Sequence, residues 1–186
     1  MPDLMSSWMP TMTELKLQIS LIPSPLHGRN LRKKIGKKRW NRIRDGIKEE
    51  EGPICEICGD TSDRIHGHEE WEYDTSTTPA VATLKRIGLV CWKCHGVHHY
   101  GLAVTFARQG HTDQLQQITE HFCRINGVDE TALVDHLSDA LRRFGALNEL
   151  EWAIDYGAYY RLIGIREAAQ AKWLADRAKR AAKSSP

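Results

Sequence analysis

Four of the five cysteines come as two close pairs, Cys55-Glu-Ile-Cys58 and Cys91-Trp-Lys-Cys94, with 32 residues between them, while Cys123 stands alone. Two intervening residues let one tight turn aim both sulfurs at a single point, and Gly59, directly after the first pair, permits the sharp backbone such a turn needs. Two pairs at this spacing are the pattern of a tetrahedral zinc site with four thiolate ligands. The competing use of cysteine, a disulfide framework, expects an oxidising compartment. The opening MPDLMSSWMPTM lacks the charged start and apolar run of a secretory leader. Nothing around either pair has the βαβ context of a redox motif. Structural zinc supplies about 10–16 kcal/mol of apparent binding energy in small zinc peptides, enough to hold a short region together. Cys55, Cys58, Cys91 and Cys94 are therefore expected to bind structural Zn2+ in a module spanning residues 53–110. Cys123 lies in an apolar helical pattern and is expected to serve as a small core hydrophobe.

The 186 residues carry a net charge of only +2, but its distribution is uneven. Residues 28–48 hold ten Lys/Arg and one acid, a segment of +9; the rest has 16 basic and 23 acidic residues, a body of −7. A basic arm on a mildly acidic body points to a polyanionic partner. Arg32, Lys33, Lys34, Lys37, Lys38, Arg39 and Arg42 are the candidate contacts to a nucleic-acid backbone, DNA before RNA, through salt-sensitive and sequence-independent attraction. No apolar run approaches the 18 or so residues of a membrane span. With 41% hydrophobic and 27% charged residues, a soluble cytoplasmic protein is expected, with no membrane partner.

Periodicity predicts an α+β chain: an N-terminal basic helix, a small zinc module and several C-terminal helices. Residues 1–28 read as irregular, with a short strand at 15–21 where LKLQISL alternates. Residues 29–50 form the basic helical arm, with Leu31, Ile35, Trp40, Ile43 and Ile47 on one face and Gly36 as its weak point. A strand is expected at 65–71, an acidic loop at 72–79, and a short strand at Leu89–Val90 leading into Cys91. A helical region covers 111–165. Thr112 caps a helix carrying Leu115, Ile118, Phe122 and Ile125, which stops at Asn126-Gly127. Asp129 starts another with Leu133, Leu137, Leu141 and Phe144 inward, ending near Gly145. A further segment holds Leu150, Trp152, Ile154 and Tyr156. Residues 166–186 read as a charged helix and tail.

Five of the nine histidines fall between residues 66 and 99. His66 and His68 share a face if on a strand, and His95 and His99 share a face if on a helix. Such an arrangement can hold a second divalent metal. His98 lies off the helical face and is expected to be exposed. His27, His111, His121 and His136 receive no role. Trp71, Tyr73 and Trp92 are expected to pack around the knuckles.

The run CEICG, then HGHEEW, then LVCWKCHGVHH, over residues 53–101, resembles the HNH nuclease family with its ββα-metal fold. The longer stretch HEEWEYD to LVCWKCHGVHHYG resembles bacterial and phage proteins labelled HNH-like. The resemblance implies that the four cysteines bind structural zinc, that His68 is the general base, and that His95 and His99 hold a catalytic Mg2+, Mn2+, Ni2+ or Zn2+. A neutral imidazole would take a proton from water while a divalent ion polarises the phosphodiester. Glu69 or Glu70 would fix a histidine tautomer.

Two positions depart from the family pattern. Arg86 stands where the family places an Asn about five residues before the third zinc cysteine, and Gly67 stands where many members place a metal-binding Asp or His. His68 is then base or ligand, with Glu69 or His66 in the other role, and His66 can also replace the missing ligand. The acidic run Glu69, Glu70, Glu72, Asp74 would repel phosphate without an intervening cation, which favours a metal-dependent site. The expected function is metal-dependent hydrolysis of nucleic-acid phosphodiesters. The alternative is a zinc-stabilised protein on the same scaffold, without the chemistry, that binds nucleic acid or a protein partner. The helical region is also a possible homodimer surface.

Overall fold

The computed structural model describes residues 15–163 and Asp176. The expectations for residues 1–14 and for the charged tail fall outside the described residues, Asp176 excepted. The chain is mixed α+β with one small sheet. Helix α1 spans Leu31–Glu51, strands β1 and β2 span Ile65–Asp74 and Ala80–Cys91, and four helices follow. These are α2 (Trp92–His98), α3 (Tyr100–Arg108), α4 (Thr112–Asn126) and α5 (Glu130–Asn148). Strand β3 (Trp152–Asp155) and a 3-10 turn at Gly157–Ile163 complete the described chain. Among the described residues no helix is long and apolar enough to cross a membrane.

β1 and β2 form an antiparallel hairpin, and β3 adds in parallel on the far side of β2. The register sets His66 opposite Val90, His68 opposite Gly88 and Glu70 opposite Arg86, with a bulge between Glu70 and Trp71. Both strands are longer than the sequence pattern suggested: the end of β1 is acidic and so reads as loop, and the first half of β2, AVATLKR, lacks a clear two-residue alternation. Trp152, Ile154 and Tyr156 follow the two-residue period of a strand, so the expected all-helical region at 111–165 ends in β3 instead. Trp152 and Tyr156 are buried, and their rings meet Tyr73 at 5.4 Å and Trp71 at 6.0 Å. Trp71 and Tyr73 thus pack on the β3 side of the sheet, away from the cysteine knuckles.

α1 begins at an Asn30 cap whose side chain accepts from the Lys33 N–H at 2.9 Å. Gly36 breaks it with φ 79° and ψ 161°, a positive-φ conformation that glycine alone adopts easily, so the arm is two helices joined at a kink rather than one. Leu31, Ile35 and Trp40 are buried against Leu84 and Ile87 of β2 and against Tyr156 and Tyr160. Full burial of such side chains stabilises by about 1.5–3 kcal/mol each.

The largest core lies on the other side of the hairpin. Leu89 and Val90 of β2, Cys94 and Val97 of α2, Ile118 and Phe122 of α4, Leu133 and Ala140 of α5, and Leu17 and Ile19 of the N-terminal segment meet there, with Cys123 packed at its edge. Residues 15–21 bury Leu17 and Ile19 in the predicted alternation but pair with no strand. Side chains replace the ladder. Asn126 accepts from the Leu17 N–H at 3.0 Å and donates to its carbonyl at 2.8 Å, and His136 Nε2 accepts from the Ile19 N–H at 2.9 Å. His136, given no role by the sequence, is therefore a buried acceptor stacked on Phe122. Thr112 is the first helical residue and makes no cap; His111 precedes the helix. In α5 the helix runs through Gly145, and Leu141, expected inward, is 52% exposed, because His136 and Ala140 occupy the buried stripe.

Candidate functional site

The first knuckle sits between α1 and β1. The Cys55 N–H donates to the Asp60 carbonyl and the Gly59 N–H to the Cys55 carbonyl, which closes the turn. The Glu56 N–H donates to the Leu89 carbonyl at 3.0 Å, fastening the knuckle to β2. The second knuckle is the junction of β2 with α2, where Cys91 caps the helix by accepting from the Cys94 N–H at 3.4 Å. Both pairs converge: the four sulfurs all lie within 4.8 Å of one another. Cys58 Sγ and Cys91 Sγ are 3.8 Å apart, about the edge of a tetrahedron whose metal–sulfur bonds are roughly 2.3 Å. Hydrogen bonds from Cys91 and Cys94 hold the Cys55 thiol well below its usual range, the same group of contacts pushes Cys94 well above it, and burial pushes Cys58 up to about 12. Four thiols this close cannot all ionise unless a cation neutralises them. The donor set fits a structural metal such as zinc.

The histidines gather where β1 faces the same short helix, with His95 directly after Cys94 and His99 at the helix's end. β1 lies between α1 and α2, and its side chains alternate. His66 and His68 point toward α2, where His95 and His99 stand one turn apart. One nitrogen from each of His68, His95 and His99 lies within 4.8 Å of the others. His66 is exposed and stacks on His95 with ring centroids 4.9 Å apart. His98, expected exposed, instead stacks on His68 at 4.3 Å, and its Nδ1 is buried without a hydrogen-bond partner. Its place follows from the N-terminal segment, whose Ser20 N–H donates to the His98 carbonyl at 3.1 Å. Burial, reinforced by neighbouring imidazoles, pushes His68 down to about 2, His95 to about 3 and His98 to about 4. Burial lowers His99 as well, and burial together with Arg44 and Arg32 lowers His66. Neutral imidazoles with free lone pairs are the form that binds a metal. Three of them suit a first-row transition ion better than Mg2+, which prefers oxygen ligands.

The other face of β1 serves α1. A Cβ on Gly67 would meet the Trp40 ring at 3.0 Å, so this position faces α1 and is tightly packed there. Glu69 shares that face. Its carboxylate accepts from the N–H groups of Leu31 and Arg32, at 3.3 and 2.9 Å, and from Trp71 Nε1 at 3.0 Å. Two backbone donors at a helix N-terminus give the carboxylate a capping role, and Trp71 holds it in place. The structure therefore does not bring Glu69 to the histidines as a catalytic carboxylate. Strand alternation was the available signal, since Glu69 is odd-numbered and the histidines are even.

A cleft of about 670 Å³ opens on the histidine triad, walled by residues from the N-terminal segment, by Arg32 and by Arg86. Arg86 lies across from Glu70 on the histidine face of the hairpin and pairs with both Glu70, at 2.6 Å, and Glu56, at 2.7 Å. Both carboxylates raise its already high pKa, Glu56 most. The seven basic candidates of the arm, Arg32, Lys33, Lys34, Lys37, Lys38, Arg39 and Arg42, are all exposed. Arg39 donates to the Leu162 carbonyl at 3.0 Å.

The sequence missed one residue at the cysteine site. His121, 2% exposed on α4, places Nε2 3.0 Å from Cys94 Sγ. A lone histidine in an apolar helix carries no signal of this kind in one dimension, because its partner is 27 residues away. Searches for related proteins found no matching family model, no matching curated protein and no matching solved structure.

Proposed function

We propose that the protein is an HNH-like, metal-dependent endonuclease that hydrolyses phosphodiester bonds of nucleic acid, DNA before RNA. The observation that carries this reading is the convergence of His68, His95 and His99 in one cleft bordered by Arg32 and Arg86. The three imidazoles would hold a divalent ion, and that ion would supply polarisation of the phosphate and stabilisation of the leaving oxygen. His68 then belongs to the ligand set. Glu69 is committed to capping α1, so the proton acceptor for the attacking water is His66, exposed beside His95. Arg32 begins the basic arm at the rim of the cleft, and the arm holds the backbone through its phosphates.

Arg86 supports a second reading. It occupies the place of the family's Asn and is tied to two carboxylates, an arrangement suited to a scaffold that binds without cutting. Plasmid nicking with Mg2+, Mn2+, Ni2+ or Zn2+ separates the two. Wild type is expected to nick, and His68→Ala and His95→Ala each to lose at least about 100-fold in rate, the scale of a missing metal function. Cleavage surviving both substitutions would remove the triad from the chemistry. No cleavage by folded, zinc-loaded protein with any of these ions would leave the binding reading.

A further inference from the structure

We infer that His121 is the hydrogen-bond donor that steadies the metal-bound Cys94 thiolate, which makes α4 part of the cysteine site. The inference rests on the reading of the four cysteines as a metal site.

Both ring nitrogens of His121 are engaged. Nδ1 lies 3.0 Å from Arg124 Nη2, and Nε2 lies 3.0 Å from Cys94 Sγ. A guanidinium only donates, so Nδ1 must accept. The proton of the neutral ring is then on Nε2, aimed at the sulfur, and Cys94 is the acceptor. A neutral thiol sulfur accepts such an N–H only weakly, whereas a thiolate held by a metal is a strong, charged acceptor for it. Arg124 also reaches Asp60 at 3.4 Å, two residues beyond Cys58. The chain of contacts thus runs from the second knuckle through α4 and back to the first. The Arg124–Asp60 pair is exposed and adds little energy itself; its part is to hold the guanidinium that selects the tautomer. His121 is a positioning residue: it touches a ligand, not the metal. Partners of this kind typically change metal affinity by about 10–100-fold when removed.

The test uses the full-length protein in a His95→Ala background, so that the thiolate site alone reports. Zinc content is measured first, then the rate of zinc transfer to a chromogenic chelator. His121→Phe, which keeps the bulk and loses the donor, is expected to release zinc about 10–100-fold faster. His121→Gln, whose amide N–H can reach the sulfur, is expected to recover most of the wild-type rate. Independently, nitrogen-15 NMR of the zinc-loaded wild type should show His121 protonated at Nε2, and substitution of cadmium-113 should give a metal resonance that moves in His121→Phe. Unchanged release from His121→Phe overturns the inference, as does a His121 proton on Nδ1. If His121→Phe does not fold, the wild-type tautomer decides. Wild-type protein without zinc overturns the underlying metal reading instead, so the two failures are told apart.

Discussion

Cys91 and His99 cap the two ends of α2, and Cys94 and His95 lie within it, so one short helix serves two side-chain clusters of very different character. The cysteine cluster has four ligands, and Cys55, Cys91 and Cys94 are all buried. The histidine cluster offers three candidate ligands, each half-buried, at the wall of a cleft. A closed set of four suits a structural ion; a set of three with an open side suits an ion that meets a substrate. The surroundings differ in the same sense. The thiols are held by backbone donors of their own knuckles and by His121, while the histidines are held mainly by stacking on one another. The first cluster is fixed by its fold, and the second depends on the first to orient α2.

That dependence can be broken in one direction only. Cys55→Ser or Cys91→Ser should lose zinc and the cooperative unfolding transition together, at the scale of several kcal/mol, and with them any metal at the histidines. His95→Ala should lose only the histidine-site metal and keep its melting transition. Metal analysis after gel filtration, alongside circular dichroism, checks both; a folded Cys55→Ser protein would show that the histidine end stands without the thiolates. A smaller effect tests the two faces of β1. Glu69→Gln should lower stability by about 1–3 kcal/mol through weakened charge-assisted bonds to the start of α1, with metal content and nicking unchanged. A loss of nicking at unchanged stability would return Glu69 to the chemistry.

The smallest effect concerns a histidine that belongs to neither cluster. Burial lowers His136 below its ordinary value of 6.5, with Asp139 pulling weakly the other way. The unfolded chain therefore binds the extra proton more readily than the folded one. Stability is complete above about pH 6.5 and falls as pH drops below it. Urea midpoints should decline between pH 7.5 and 5.5, and His136→Gln should show a shallower decline. Equal slopes would place the acid sensitivity among the clustered histidines instead.

What the sequence made legible was whatever repeats at short range. The CxxC spacing located four sulfurs that do converge, the i, i+4 pair located His95 and His99, and the two-residue step aligned His66 with His68. Interactions across long separations were not legible. Nothing near Glu69 announces that α1, 37 or 38 residues earlier, will present its first N–H groups to that carboxylate. The bonds of Asn126 and His136 to the N-terminal segment, 109 and 117 residues apart, are equally silent. Exposure misjudgements have the same origin. From its helical angle alone His98 faces solvent, but the segment at Ser20, 78 residues earlier, lies over it.

The clamp by Asn126 has a further consequence. One side-chain amide offers Leu17 the donor and acceptor that a neighbouring strand would have offered, so a wall of the cleft hangs from the last residue of α4. The segment that borders the opening above the histidines is therefore held from α4, the same helix that leans on Cys94, while His136 of α5 and the His98 carbonyl hold its next residues.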